Sequence, residues 1–295
     1  MKPMLNLLKA FSLVCLTFIV TIPTYGQGPW AQEKGTAFLQ LQTTLQLQGT
    51  YNGLIRDGRA IDDTDPLNRN ISSSDLGIYG VYGVSDKFTI IGHLPFKYVA
   101  SGTQVDSLTS MPLLEEGSLI GLSNVYLAAK YRLWDKGVKA AVSIQTHLNT
   151  GSNDLDKGLT TGYLANFFGG FLHVGGGITP KLYAFADIGY VVATNGYSDY
   201  SSIYAEVGYE VIKGGYIILN TTIKTSTENG DFDNAGNNLL QTGLYPNDQD
   251  WIGLGGKLLY ELDNKIGFTL GTASIIRANY TGFVAPVTFG VYKKW

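Results

Sequence analysis

His93, His147 and His173 are the only imidazoles in this 295-residue sequence. A metal centre would want them converging with carboxylates, yet they fall in three separate segments with no local ligand spacing. No metal or cofactor is expected. Ser143, His147 and Asn149 supply the residue types of a nucleophile, a base and an orienting group. All three share one parity of a single alternating segment, and spacings of four and two do not carry the serine oxygen onto the histidine nitrogen. Asp231-Phe232-Asp233-Asn234-Ala235-Gly236 opens like a calcium loop, but Ala235 takes a ligand position and Thr242 stands in place of the closing glutamate. It reads as a solvated loop. Gly175-Gly176-Gly177 is followed by no helix, so it is read as a turn through Pro180 and not as a phosphate cradle.

The chemistry that remains is a pattern of polar side chains. Lys97, Lys130, Arg132, Lys139, His147, Asp187, Glu206, Glu210, Lys224, Lys257 and Glu261 all fall on the polar parity of alternating segments, as do Gln40, Gln42, Gln46 and Gln48. Rings of charge inside a pore set solute selectivity. The competing reading is a salt-bridged interior that fills a narrow barrel.

The segments that would position these groups are strands. In residues 37–51, Ala37, Leu39, Leu41, Thr43, Leu45, Leu47 and Tyr51 alternate with Gln40, Gln42, Thr44, Gln46, Gln48 and Thr50. Successive side chains of a strand face opposite ways, so this segment has an apolar face and an amide-lined face. The same pattern recurs at 75–84, 88–98, 121–134, 138–149, 181–193, 201–212, 216–226, 250–262 and 266–277, with a closing strand at 282–295. Residues 159–173 are apolar on both parities and are read as a further strand, which makes twelve.

Lys2 and Lys9 precede an apolar run from Ala10 to Ile22 and then Pro23-Thr24-Tyr25-Gly26-Gln27, the layout of a secretory signal peptide cut after Gly26. The run is too short to span a membrane as a helix. Residues 1–26 are therefore read as a leader and 27–295 as one domain. Cys15 sits mid-leader, so an exported chain would carry no disulfide framework. Removing Lys2 and Lys9 leaves 19 basic against 24 acidic side chains, and nothing in the sequence suggests a nucleic-acid partner.

Loop lengths alternate along the chain. Long or medium loops (52–72, 99–119, 150–158, 195–200, 227–249) follow odd-numbered strands, and tight turns such as Ser85-Asp86-Lys87, Asp135-Lys136-Gly137 and Lys213-Gly214-Gly215 follow even-numbered ones. Short turns on one side and long loops on the other mark an outer-membrane barrel. Trp134 and Trp295 fall at short-turn ends and Trp251 near a long-loop end, where interfacial girdles belong. The fold expected is all-β: a transmembrane antiparallel up-and-down β-barrel of 12 strands in the cell outer membrane, both termini periplasmic. In hydrocarbon only a closed sheet satisfies every strand's backbone. The partners expected are outer-membrane lipid and the barrel-assembly machinery, reached through the C-terminal strand ending in Trp295.

Asp86-Lys87-Phe88-Thr89-Ile90-Ile91-Gly92-His93-Leu94-Pro95-Phe96, Gly121-Leu122-Ser123-Asn124-Val125, Ala129-Lys130-Tyr131-Arg132-Leu133-Trp134 and His147-Leu148-Asn149-Thr150-Gly151 form a succession of short blocks. It resembles the outer-membrane barrel family named after the MetA pathway of phenol degradation, related to channels that take up fatty acids and aromatic hydrocarbons. The resemblance covers roughly residues 75–200, with Leu148-Asn149 where the family has proline before Thr-Gly and Ser123-Asn124 where it has Gly-Asp. The larger fatty acid channels carry an N-terminal plug, whereas only about eight residues separate the cut from the first strand here.

The function expected is a non-enzymatic outer-membrane channel for passive passage of small solutes, hydrophobic or aromatic ones included. The first alternative is a structural or adhesive barrel with a filled lumen, its loops 52–72, 99–119 and 227–249 binding a partner. The second is a membrane-embedded lipid hydrolase, although the sequence blocks of outer-membrane phospholipase A are missing.

Overall fold

The computed structural model describes residues 28–50, 55–56, 59–60, 70–105, 112–240, 242–281 and 286–295. The leader read at 1–26, most of the 52–72 loop and the side chain of Gln48 lie outside the described residues. Twelve strands form the wall: β1 (Ala37–Thr50), β2 (Asn70–Ser85), β3 (Phe88–Ser101), β4 in two pieces (Gly117–Leu122 and Val125–Lys136), β5 (Val138–Leu148), β6 (Phe167–Thr179), β7 (Leu182–Ala193), β8 (Tyr200–Ile212), β9 (Gly215–Ser226), β10 (Asp250–Glu261), β11 (Ile266–Asn279) and β12 (Val287–Lys294). Each pairs antiparallel with its neighbours in sequence. β1 pairs with both β2 and β12, Leu41 lying opposite Ile78 on one side and Val291 on the other, and this closes the sheet. Closure removes the free edges that would otherwise invite further pairing.

The alternation seen in the sequence sorts the two faces. Leu41, Ile78, Leu94, Ile144, Ile188, Leu219, Leu258 and Phe289 are exposed on the outer face. On the opposite parity Thr89, His93, Lys130, Ser143, Asp187 and Thr222 are buried inside the ring. Charged side chains turned inward and leucines turned outward reverse the arrangement of a water-soluble sandwich, as a lipid surround requires. The loops sort as expected. Asp86-Lys87, Gly137, Pro180-Lys181, Lys213-Gly214 and Leu262–Lys265 join strands at one end, and the long connections lie at the other. Gly137 and Gly214 adopt φ of +66° and +75°, a left-handed conformation that costs glycine least.

Two segments differ from the sequence reading. The sixth strand is Phe167–Thr179, not 159–173, and the glycine triplet lies within it. Gly175 faces Phe185 and Gly177 faces Tyr183 across the β6–β7 ladder, and a Cβ on Gly175 would lie 2.3 Å from the Phe185 Cβ and 2.5 Å from the Ala184 carbonyl oxygen, so the two strands run too close there for a side chain. The turn falls instead at Pro180-Lys181. The fourth strand is longer than 121–134 and broken at Ser123-Asn124, opposite Pro95 of β3. Proline has no amide to give the ladder; the Ser123 amide still reaches the Pro95 carbonyl at 2.9 Å, and Asn124 leaves the wall.

Glycine has a second use along the inner face. Tyr183 lies over its cross-strand partner Gly208, Phe171 over Gly189 and Tyr292 over Gly267. In each case a Cβ on the glycine would meet the ring at 2.0–2.3 Å. Rings laid flat against the wall keep the lumen open and aim the two tyrosine hydroxyls along it.

The packed core sits at the long-loop end, within the barrel mouth. Ile71 and Val99, from the ends of β2 and β3, pack with Leu159 and Leu244 from two loops. Ala165, Phe167, Val191 and Tyr197 form a second cluster, joined by Tyr163, Tyr200 and Phe232. Leu159, Thr160, Thr161, Leu239 and Thr242 are wholly buried, so loops 149–166 and 227–249 fold inward as a cap.

Candidate functional site

Below the cap the lumen widens into a chamber of about 1040 Å³ that reaches the short-turn end. Gln40, Gln42, Lys130, Glu206, Glu210, Lys257 and Glu261 line it, with Trp30, Phe38, Tyr79, Tyr183, Phe185, Tyr216 and Tyr292 among them. The carboxylates are held in place. Glu206 accepts from the Tyr183 hydroxyl at 2.8 Å and the Tyr204 hydroxyl at 2.6 Å, with the Lys257 ammonium 3.6 Å away. Glu261 accepts from Tyr292 at 2.7 Å and pairs with Lys294 at 2.5 Å. A carboxylate that is hydrogen-bonded and ion-paired is held in one position.

The other residues read from the sequence lie at other levels. Arg132 and Lys139 converge on Asp135 at the short-turn rim. Lys97 and Lys224 sit under the cap. The Lys97 ammonium lies 4.6 Å from the Tyr245 ring centre and bonds its hydroxyl. Lys224 lies over Tyr200 at 4.5 Å and Tyr163 at 5.0 Å, held by the cation–π attraction. The His147 ring packs on Tyr126, centroids 4.9 Å apart, and Gln46 accepts from Ser73 at 2.7 Å. Trp134 and Trp295 are exposed at the short-turn end, while Trp251 packs against Ile275 and Ala278. Among the described residues no group of three or more His, Cys, Asp or Glu could hold a metal.

Residues 28–36, ahead of β1, run up into the lumen as a strap. The Lys34 amide donates to Asp86 at 3.1 Å near the rim and the Gln32 amide to Thr89 Oγ1 at 2.9 Å further in. At the inner end the Gly28 amide meets both oxygens of Asp187, at 3.0 and 3.2 Å, and the Gly28 carbonyl accepts from Lys130 at 2.7 Å. Gly28 has φ +79°, and a Cβ there would lie 2.5 Å from the Trp30 ring, which folds back over it. That ring meets Tyr183 and Phe185 edge-on at 5.7 and 5.4 Å. So short a segment reaches this far because an extended chain covers about 3.3 Å per residue.

Asp187 is itself held from behind. His173 Nδ1 lies 2.8 Å from its Oδ1, and Ser143 Oγ lies 2.8 Å from His173 Nε2. These are the residue types of a hydrolytic triad, but His173 Nδ1 makes no in-line hydrogen bond, and all three side chains are buried behind the strap. The arrangement packs an imidazole against a carboxylate whose hydrogen bonds come from the Gly28 amide. Ser143 therefore meets His173 from β6 and not His147 of its own strand. The missing signal was register: His173 stands opposite Ala141 and Asp187, a placement that no local pattern encodes.

A search of solved structures finds an outer-membrane channel from Pseudomonas putida F1 with a TM-score of 0.65 at 9% identity, covering 94% of this chain and 100% of that one. This chain has the fold of an outer-membrane channel barrel. The NanC porin matches at a TM-score of 0.51 and 8% identity, over 86% of this chain and 98% of its own. No protein-family model matches the sequence, and a search of curated proteins finds no relative. At these identities the likeness is one of backbone alone.

Proposed function

We propose that the chain is a channel of the bacterial outer membrane that lets small solutes pass passively, aromatic and hydrophobic ones included, and that the structure is its closed state. The observation that carries this reading is the chamber of about 1040 Å³, ringed by aromatic side chains and fixed charges and stoppered by a nine-residue strap held chiefly by hydrogen bonds and ring contacts. A barrel that served only as a wall has no need of an empty, charged interior. In this reading the leader at 1–26 is removed, the short turns and both termini face the periplasm, and the strand ending in Trp295 is read by the assembly machinery.

The dense packing of loops 149–166 and 227–249 favours the second reading, a structural barrel with a filled mouth. Planar-bilayer conductance separates the two. Trp30→Ala removes the ring that anchors the strap and is expected to raise open time at least tenfold over the native protein. No current from Trp30→Ala, under voltage and across solutes of graded size, overturns the channel reading.

A further inference from the structure

The strap does more than block the lumen, because the way it is held describes a ligand. One residue, Gly28, presents an N–H to the Asp187 carboxylate and, one carbon away, a carbonyl oxygen to the Lys130 ammonium. Immediately beside it the indole of Trp30 meets Tyr183 and Phe185 edge-on. Because the ring folds back to within 2.5 Å of where a Gly28 Cβ would sit, donor, acceptor and aromatic ring form one compact unit and not three points along a chain. We infer that this is a luminal binding site which the strap occupies as an internal ligand, and that its solute is an aromatic α-amino acid. This rests on the channel reading above.

The charges favour that class over others. Asp187 and Lys130 are opposite in sign and buried at 3% and 2% exposure, and each is aimed at one side of the same residue. What the strap itself offers these two groups is a pair of neutral dipoles, a backbone N–H and a C=O. The ammonium of a free amino acid against Asp187 and its carboxylate against Lys130 would give two charge-assisted hydrogen bonds, roughly twice as strong as neutral ones. A neutral hydrocarbon would take the Gly28 contacts away from both groups and offer nothing polar in return. An anionic acid would answer Lys130 and be repelled by Asp187. The ring slot supplies the aromatic requirement, since edge-on aromatic contacts add to simple burial. His173 packs behind the carboxylate, its Nδ1 2.8 Å from Asp187 Oδ1, and Ser143 meets the far side of that ring at 2.8 Å.

A solute that fits better than the strap displaces it, so binding and opening are linked: a ligand shifts an equilibrium by its differential affinity for the two states. The test uses L-tryptophan as probe on the full-length protein in planar bilayers, with glycine and indole as partial mimics. L-tryptophan is expected to raise open probability at a concentration at least tenfold below that needed with either mimic. Asp187→Asn is expected to raise the half-effective concentration of L-tryptophan at least tenfold while indole is unaffected. Should Asp187→Asn fail to assemble, Phe185→Leu serves in its place, with loss of the preference for tryptophan over alanine as the readout. If Trp30→Ala conducts but L-tryptophan acts no better than glycine or indole on the native protein, the inference is overturned and the channel reading stands. If Trp30→Ala does not conduct either, the channel reading itself has failed.

Discussion

Gly208→Ala makes a sharp test of how the inner wall is built. The added methyl would sit 2.2, 2.3 and 2.5 Å from Cε1, Cζ and Oη of Tyr183, so the ring must leave the wall. Overpacking of this kind costs about 1–3 kcal/mol. The displaced hydroxyl also gives up its 2.8 Å bond to Glu206. A hydrogen bond to a charged group contributes about 1.5–3 kcal/mol. Glu206 keeps Tyr204 and Lys257, so it is weakened but not stranded. The lower bounds together give about 2.5 kcal/mol, which is on the order of sixty-fold in the folding equilibrium. Urea unfolding in lipid vesicles, followed by tryptophan fluorescence, reads this directly. Gly170→Ala is the control: it has nothing within 4 Å of its Cβ position, and its change should stay within about 0.5 kcal/mol. The swung ring also narrows the chamber, so conductance of a Trp30→Ala background should fall. If Gly208→Ala proves as stable as Gly170→Ala, the rings are not seated on the glycines and the account of the inner wall is wrong.

Two further outcomes concern the cap. The Asn124 amide donates to the Leu148 and Tyr163 carbonyls at 3.0 Å each and accepts from the Tyr163 amide at 2.6 Å; at about 1 kcal/mol per bond, Asn124→Ala should loosen loop 149–166 by about 3 kcal/mol, seen as faster protease nicking there, and unchanged nicking would count against it. Burial pushes the Asp199 carboxyl up, but the Ala193 amide, Asn229 and Tyr190 outweigh that and hold it below the ordinary carboxylate range. A depressed carboxylate contributes stability that is present above the unfolded value of about 3.9 and is lost as pH falls through the folded value. Amide protection in residues 194–199, taken relative to the intrinsic exchange rate at each pH, should therefore be flat from neutral pH down to about 4 and fall below it, and Asp199→Asn should remove that acid-dependent step.

The sequence by itself determined the barrel. A period of two, repeated with leucine and valine on one parity and lysine, glutamate and glutamine on the other, settles which face each side chain takes, because a strand gives its side chains no other choice. Alternating loop lengths settled the up-and-down order for the same local reason. The one strand misplaced was β6, where phenylalanine lies on both parities and glycine looked like a turn. Gly175 makes sense only once the Phe185 Cβ and the Ala184 carbonyl of the next strand crowd the place its side chain would take.

What the tertiary structure alone decided is what meets what inside. Parity places Lys130, Ser143 and Asp187 in the lumen but says nothing of His173, whose strand is apolar on both parities, or of the stagger between strands, and stagger sets His173 beside Asp187 and Ser143 beside Lys130. The strap had no periodic signal at all. Gly28, Pro29 and Trp30 look like a plain polar lead-in with one aromatic, and their place depends on partners 102 and 159 residues away in the chain. Contacts at that separation are paid for by closing the whole ring of strands, a property of the folded sheet that no window of residues contains.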